Sequence, residues 1–436
     1  MKRFVLFALL LVAAFVAMTW QAATRHEQDY RAFMARGDEA LAAEQIFGAI
    51  EAYSGAIALK PDAMLAHLRR GETYQRRGDL DAAARDFQSA AALDSSAIRP
   101  LEELADVRYA QARFARAAEI YEQYLRLDDR AARVAYKLAL ARYRAGNLTG
   151  ALAAVDLALR NDEKMAVAYY LQGLCRRDQG RLNEAQRALN HAVALEPGFI
   201  SAREELSDMH RLLGHHREEI EQLQILAALD RGRIERDVAV GLAHARWSTD
   251  AKETPARREA QADLAVLTLG SALERAPDQP LIYSTLGRIW LDIAAARDDR
   301  VAFNKALEAL ERVGASTSAT SEALTVYGRA LLQAGRAEEA ERTLQQATER
   351  YPTDPSAFLL YATAAEQQNR PADALEALIN YGAVANDDGG FADRASRIAA
   401  LSLKLKDAVT AAAWVQRGLD HEPNHPALLA LQGRLK

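Results

Sequence analysis

Small residues recur at intervals of 34 along this chain: Gly37, Gly71, Ala105, Ala139, Gly173, Ser207 and Gly241. Twelve positions after each, Ala49, Ala83, Ala117, Ala151 and Ala185 keep the same step before Glu219 breaks it. Four positions further on stand Tyr53, Phe87, Tyr121, Val155, Leu189 and Leu223. Two small positions followed by a bulky one describe a pair of helices whose backbones approach closely and share one plug. Such a unit cannot bury its apolar face alone, so neighbours must stack and length counts repeats rather than domains. Beyond Gly241 the register slips and resumes. Gly287, Tyr327 with Gly328, Ala362, Ala399 and Gly433 take the small position at steps of 46, 41, 34, 37 and 34. Half of the 436 residues are apolar but only 7% are aromatic, so alanine and leucine carry the interior.

Ala166–Phe199 is the clearest unit, with Gly173, Gly180, Ala185, Leu189, Ala192 and Pro197 at offsets 8, 15, 20, 24, 27 and 32. These offsets resemble those of the tetratricopeptide repeat (TPR), a helix-turn-helix unit. The periodicity predicts an all-α chain with no sustained strand pattern. The resemblance implies a right-handed α-solenoid of about eleven repeats, preceded by an N-terminal apolar helix. The expected organisation is an anchor or signal segment at 1–24, repeats one to six at 25–233, repeats seven and eight with insertions at 234–320, and repeats nine to eleven with a capping helix at 321–436. Glu219, where alanine belongs, is expected to splay its helix pair or point outward. Ser248–Arg258 reads as a surface loop or an extra helical turn, seven extra residues surround Ala295–Asp299, and Asn386–Gly390 reads as a flexible joint.

The first 24 residues differ from the rest. Lys2 and Arg3 precede an uncharged run, Phe4–Thr24, which as a helix spans about 31 Å and is long enough to cross a bilayer core. The basic end would stay cytoplasmic and place the repeats outside, with Trp20 at the far interface. A cleaved signal peptide is the alternative, although Trp20 or Gln21 would then occupy the minus-three position of a poor cleavage site. The expected location is a bacterial inner membrane, single-pass, with the repeats in the periplasm, or the periplasm itself after cleavage.

A net charge of −5 with both signs mixed gives no basic excess, so no nucleic-acid partner is expected. One cysteine, Cys175, excludes internal disulfides and cysteine-ligated zinc. His421 to His425 spell HExxH, but Pro423 falls between helices and keeps the two histidines off one helical face, leaving a solvated turn. His210 is expected in the core, with His215 and His216 in the following turn and the three not converging. No nucleophile elbow, phosphate loop or dinucleotide fingerprint occurs. Asn147, Leu148 and Thr149 form a glycosylation sequon to which no role is assigned. No catalytic residue, cofactor, metal or small-molecule substrate is expected, and the chain reads as a non-enzyme.

What remains is a surface for holding proteins. The resemblance implies that first-helix offsets 2, 5, 9, 12 and 13 line a concave groove. In repeats three to five these are Tyr109, Arg133, Tyr136, Leu140, Tyr143, Arg144, Tyr170, Leu174 and Arg177, a composition suited to recognition. The alternative is that the tyrosines pack between helices. Glu72, Glu102, Asp106, Glu204 and Asp208 flank them and would frame a partner of mixed charge. Chaperone-binding TPR domains hold a terminal carboxylate with Lys and Asn residues at set offsets; here those offsets carry Leu68, Glu72, Glu103, Arg133 and Lys137, so only the last basic pair survives. The expected function is a scaffold that recruits or assembles a cell-envelope complex. The alternative is a docking subunit of an envelope enzyme system, such as polysaccharide synthesis or export, or cytochrome maturation.

If the register is right, Ala185→Leu overpacks the fifth repeat and costs about 1–3 kcal/mol. Chemical denaturation measures this, and an unmoved midpoint would show a wrong register.

Overall fold

The computed structural model describes the backbone of residues 2–385 and 390–435, and side chains from residue 18 onward except at 23, 386–389 and 436. Among the described residues there are 23 helices and no strand. Contacts divide the chain into two compact units, Met1–Met209 and His210–Lys436, the division falling within one helix. Each is a stack of antiparallel helix pairs.

In the first unit the pairs are α1 (Lys2–Ala42) with α2 (Ile46–Leu59), α3 (Met64–Arg77) with α4 (Leu80–Leu93), and α5 (Ile98–Ala110) with α6 (Phe114–Leu127). Then come α7 (Ala132–Arg144) with α8 (Leu148–Asn161), and α9 (Ala166–Asp178) with α10 (Leu182–Leu195), followed by α11 (Ile200–Leu213). In the second unit α12 (His216–Leu229) is followed by α13 (Ile234–Ser248) with α14 (Pro255–Arg275), and α15 (Pro280–Arg297) with α16 (Arg300–Gly314). The series closes with α17 (Ser321–Gln333) and α18 (Ala337–Thr348), α19 (Pro355–Gln367) and α20 (Pro371–Val384), α21 (Phe391–Lys404) and α22 (Ala408–His421), and α23 (Pro426–Leu435).

Each pair is held by one close approach. A Cβ built on Gly71 would lie 2.7 Å from the Phe87 ring, and one on Gly173 would lie 2.7 Å from Leu189 Cγ. The same clash recurs at Gly241 with Leu269, Gly287 with Leu310, and Gly328 with Leu344. The bulky residue of the second helix therefore rests on bare backbone of the first. The alanine four positions before it has no exposed surface in any of ten repeats, from Ala49 to Ala411. Where the plug is tyrosine its hydroxyl must be satisfied. Tyr53 donates to Asp38 at 2.7 Å, and Tyr121 donates to Asp106. Both aspartates sit one position after the small residue of the same repeat.

The turn within most pairs uses a left-handed residue, the α13–α14 connection being an exception. Glycine supplies it at Gly78, Gly146, Gly180, Gly214 and Gly335, whereas Glu44, Ala112, Asn369 and Lys406 adopt the same conformation with side chains, at φ between 58° and 64°. The glycine signal marks only part of these turns because the stacked helices impose the geometry on whatever residue stands there.

One local expectation changes, and three stretches take definite form. Glu219 neither points outward nor lies exposed: it is 1% exposed and its carboxylate accepts from Arg246 on α13. Ser248–Arg258 is part loop and part helix. Ser248 ends α13, and Thr254 caps α14 by accepting from the Arg257 N–H at 3.3 Å, with Pro255 at the first helical position. The inserted residues thus lengthen α14 to 21 residues. The extra residues of the eighth repeat likewise lengthen α15, leaving a two-residue turn at Asp298 and Asp299. The weak first helix of repeat one is the end of α1, continuous with the apolar run.

Residues 386–389 of the expected joint lie outside the described residues, as do the side chains of residues 1–17 and 23 in the expected anchor. Among the described residues no helix is long and apolar enough to cross a membrane.

Gly328→Ala forces Leu344 off its seat, because the new Cβ would lie 2.3 Å from Leu344 Cγ. The expected loss is about 1–3 kcal/mol. Gly270 in α14 has nothing within 4 Å of such a Cβ, so Gly270→Ala should gain up to about 1 kcal/mol. Opposite shifts in urea midpoint check both.

Candidate functional site

The nine groove residues named from sequence stand on three first helices of the first unit. Tyr109 lies on α5; Arg133, Tyr136, Leu140, Tyr143 and Arg144 lie on α7; Tyr170, Leu174 and Arg177 lie on α9. Equal offsets on successive parallel helices put them on one side of the stack. Tyr109, Tyr136, Leu140 and Tyr143 pack partly buried against the core of repeats two to five, and Tyr170 against that of repeats five and six. Leu174 and Arg177 are also partly buried, while Arg133 and Arg144 are exposed.

The basic and acidic residues of this face are not two separate populations. Four of the bases reach acids on a neighbouring repeat. Arg99 meets Glu72 at 2.6 Å, Arg133 meets Glu102 at 2.6 Å, and Lys137 meets Glu102 at 2.8 Å and Asp106 at 2.5 Å. Arg177 pairs with Glu205 and, at 2.9 Å, with Asp178. Glu204 and Asp208 are engaged as well. Exposed pairs of this kind add little stability, so their effect is to align neighbouring helices and to neutralise the face. Of the three arginines named, Arg144 alone has no ion pair among the described residues. Arg133 and Lys137, the remnant of the carboxylate clamp, are thus already occupied by this chain's own acids.

The sequence did not single out Lys137 as an inter-repeat bridge. Its pairing with two acids depends on how repeats three and four stack, which spacing alone does not show. Glu103 faces Glu72 and Asp106; burial first, then those two charges, raise its carboxyl above the usual range.

The tyrosines divide by partner. Tyr143 donates to Asp178 at 2.8 Å, and burial together with that bond pushes its phenol up to about 12. Among the described residues the hydroxyls of Tyr109, Tyr136 and Tyr170 have no hydrogen-bond partner. Burial raises the phenols of Tyr136 and Tyr170. Tyr109 is near enough to act on Tyr136, and Tyr136 on Tyr170. Tyr109 meets Phe114 edge-on at 5.1 Å between ring centres, and Tyr170 lies 5.1 Å from Phe199. A run of rings therefore follows the first helices across three repeats. The packing reading of the tyrosines holds in part, since each ring is partly buried against the core.

The other candidates are placed as follows. His421 closes α22 and His425 precedes α23, so HExxH spans two helices, as Pro423 dictates. His425 is not in a solvated turn, however: it is 8% exposed and bonded to Asp393 at 3.0 Å. His210 is buried, yet its ring lies 5.8 Å from that of His215, so these two do approach. His216 turns away, stacking on Trp247 and meeting Asp250 at 3.0 Å. Asn147 of the sequon caps α8, its side chain accepting from the Gly150 N–H at 2.9 Å. Among the described residues no three potential metal ligands cluster.

The face is carried by stacked antiparallel helix pairs. The tetratricopeptide repeat model matches residues 34–98, 102–166, 296–355 and 325–391, and a second model of that repeat matches 166–199. These matches cover more than half of the chain, which belongs to the tetratricopeptide repeat family. Proteins of this family bind protein partners and are generally non-catalytic scaffolds. No curated protein matches the chain.

Similar solved structures include MamA, at 22% identity over 39% of this chain and 93% of that one, with a TM-score of 0.38. YrrB, described as a TPR protein with an unusual peptide-binding site, is 19% identical over 43% of this chain and 96% of its own, with a TM-score of 0.37. A tetratricopeptide repeat protein from Parabacteroides merdae is 17% identical over 60% and 99%, with a TM-score of 0.42.

Cys175 is fully buried on α9, and burial pushes its thiol up to about 11. At pH 8 the folded protein should resist iodoacetamide while the urea-denatured chain is alkylated within minutes, which mass spectrometry reads directly. Rapid labelling of the folded chain would mean that α9 is not seated as described.

Proposed function

We propose that this chain is a non-catalytic scaffold that holds partner protein segments on the first-helix face of repeats three to five. The supporting observation is the run of partly buried rings Tyr109, Tyr136 and Tyr170, whose hydroxyls have no partner among the described residues. Rings already fixed by packing lose little freedom when a partner lands on them, which is the property of binding anchors. Leu140, Leu174 and Arg144 extend the contact surface, and Arg133, Tyr143 and Arg177 border it.

The proposed location is the extracytoplasmic side of a bacterial inner membrane, with residues 4–24 as the anchor, where the array recruits or assembles an envelope complex. The uncharged run after Lys2 and Arg3 supports this. Continuity of α1 from Lys2 to Ala42 would join that anchor to the first repeat without a hinge.

Two measurements test the proposal. Affinity capture from crosslinked native membranes should recover one assembly with the intact chain and lose it with Tyr136→Ala and Tyr170→Ala together, while helicity by circular dichroism stays unchanged. Capture that survives the double change places the partner elsewhere. In fractionation the full chain should follow the membrane without detergent and be cleaved by protease added to spheroplasts; a soluble, protected chain would overturn the location.

A further inference from the structure

Taking the first-helix face as a docking surface, we propose that its occupant is an uncharged, proline-rich segment in the extended polyproline conformation. This deepens the reading above and rests on it. Three features of the face converge on that chemistry.

The first is the state of its charges. Glu72, Glu102, Asp106, Asp178 and Glu205 already accept from Arg99, Arg133, Lys137 and Arg177. A charged occupant must break these pairs or lie against a neutralised surface, and either course forfeits the attraction that would select it. The two groups left over, Glu103 and Arg144, are of opposite sign.

The second is the balance of donors and acceptors. The phenol groups of Tyr109, Tyr136 and Tyr170 are donors without partners among the described residues, while Glu102, Asp106 and Asp178 already accept from this chain's own groups. A segment laid here meets three open phenol donors, and the acceptors left to it are Glu103 and the phenol oxygens themselves. Helices spend their carbonyls internally, and ordinary extended chains bring N–H groups that would be left unpaired at a cost of about 1–3 kcal/mol each when buried. Polyproline is the complementary case. Its carbonyls make no internal hydrogen bonds, and proline has no N–H to satisfy.

The third is shape. Rings that are fixed at one flank and open at the other present flat apolar surfaces to pyrrolidine rings, and the polyproline helix is preformed, so little ordering entropy is lost on docking.

The test uses the full chain in detergent and fluorescein-labelled ten-residue peptides: polyproline, a Gly/Ser sequence, a Lys/Arg-rich sequence, a Glu-rich sequence and an amphipathic helix former. Polyproline, about 31 Å long, should bind at least about tenfold tighter than the others, and its affinity should change less than about twofold between 50 and 500 mM salt. Tyr136→Phe with Tyr170→Phe keeps both rings and removes two donors, and should weaken polyproline binding about tenfold. Equal binding by the Phe variant, or a preference for a charged peptide that fades with salt, overturns the inference. If polyproline fails while the native assembly is still captured through Tyr136 and Tyr170, the proline chemistry is wrong and the scaffold reading stands. If capture is also indifferent to the Ala variant, both fall.

Discussion

Everything in this chain depends on one contact repeated along it, a bulky side chain of a second helix seated on the bare backbone of the first. The seat must lack a side chain, as at Gly71 under Phe87 and Gly328 under Leu344, or carry only a methyl group. Because the seat fixes how deeply two helices approach, it also fixes which residues of the first helix remain at the surface. Those outward offsets are where the ion pairs and the tyrosine run are found. The tyrosines of that face stand only three or four residues from the seat of their own helix, so seat and ring are near neighbours on one helix flank.

Polar groups next to the seat follow the same logic. When the plug is tyrosine, as at Tyr53 and Tyr121, an aspartate beside the seat receives its hydroxyl. Glu219 is the severe case, since a carboxylate occupies the position that is alanine elsewhere and is answered by Arg246 from the next helix. A buried charge of this sort tends to cost more than it contributes, so its partner is obligatory rather than stabilising. Between repeats, the pairs from Arg99 to Glu205 leave a face with little net field.

Much of this was legible in the chain itself. The spacing of small, small and bulky positions located the helices among the described residues, because those positions at fixed offsets admit few other packings. Pro423 was enough to separate the two histidines of HExxH. The failures are of one kind. His425 reads as solvated by its place in a turn, but Asp393, 32 residues earlier, closes over it. The acids that pair with Arg133 and Arg177 come from the neighbouring repeat, which spacing within one repeat does not show. The inserted residues near Ser248 left loop and extra helical turn both open, and capping by Thr254 carried part of them into a longer helix, as α15 also took up the extra residues near Ala295.

The sequence by itself determined the repeat, its approximate count and the order of helices. All of these depend on spacing within some 34 residues, where helical periodicity and small-residue seats leave a single solution. Tertiary structure decided which charges cancel, which tyrosine hydroxyls are satisfied, and how a glutamate survives in an alanine site. Those outcomes depend on side chains brought together from adjacent repeats, and stacking geometry is a property of the assembled pairs that no single repeat encodes.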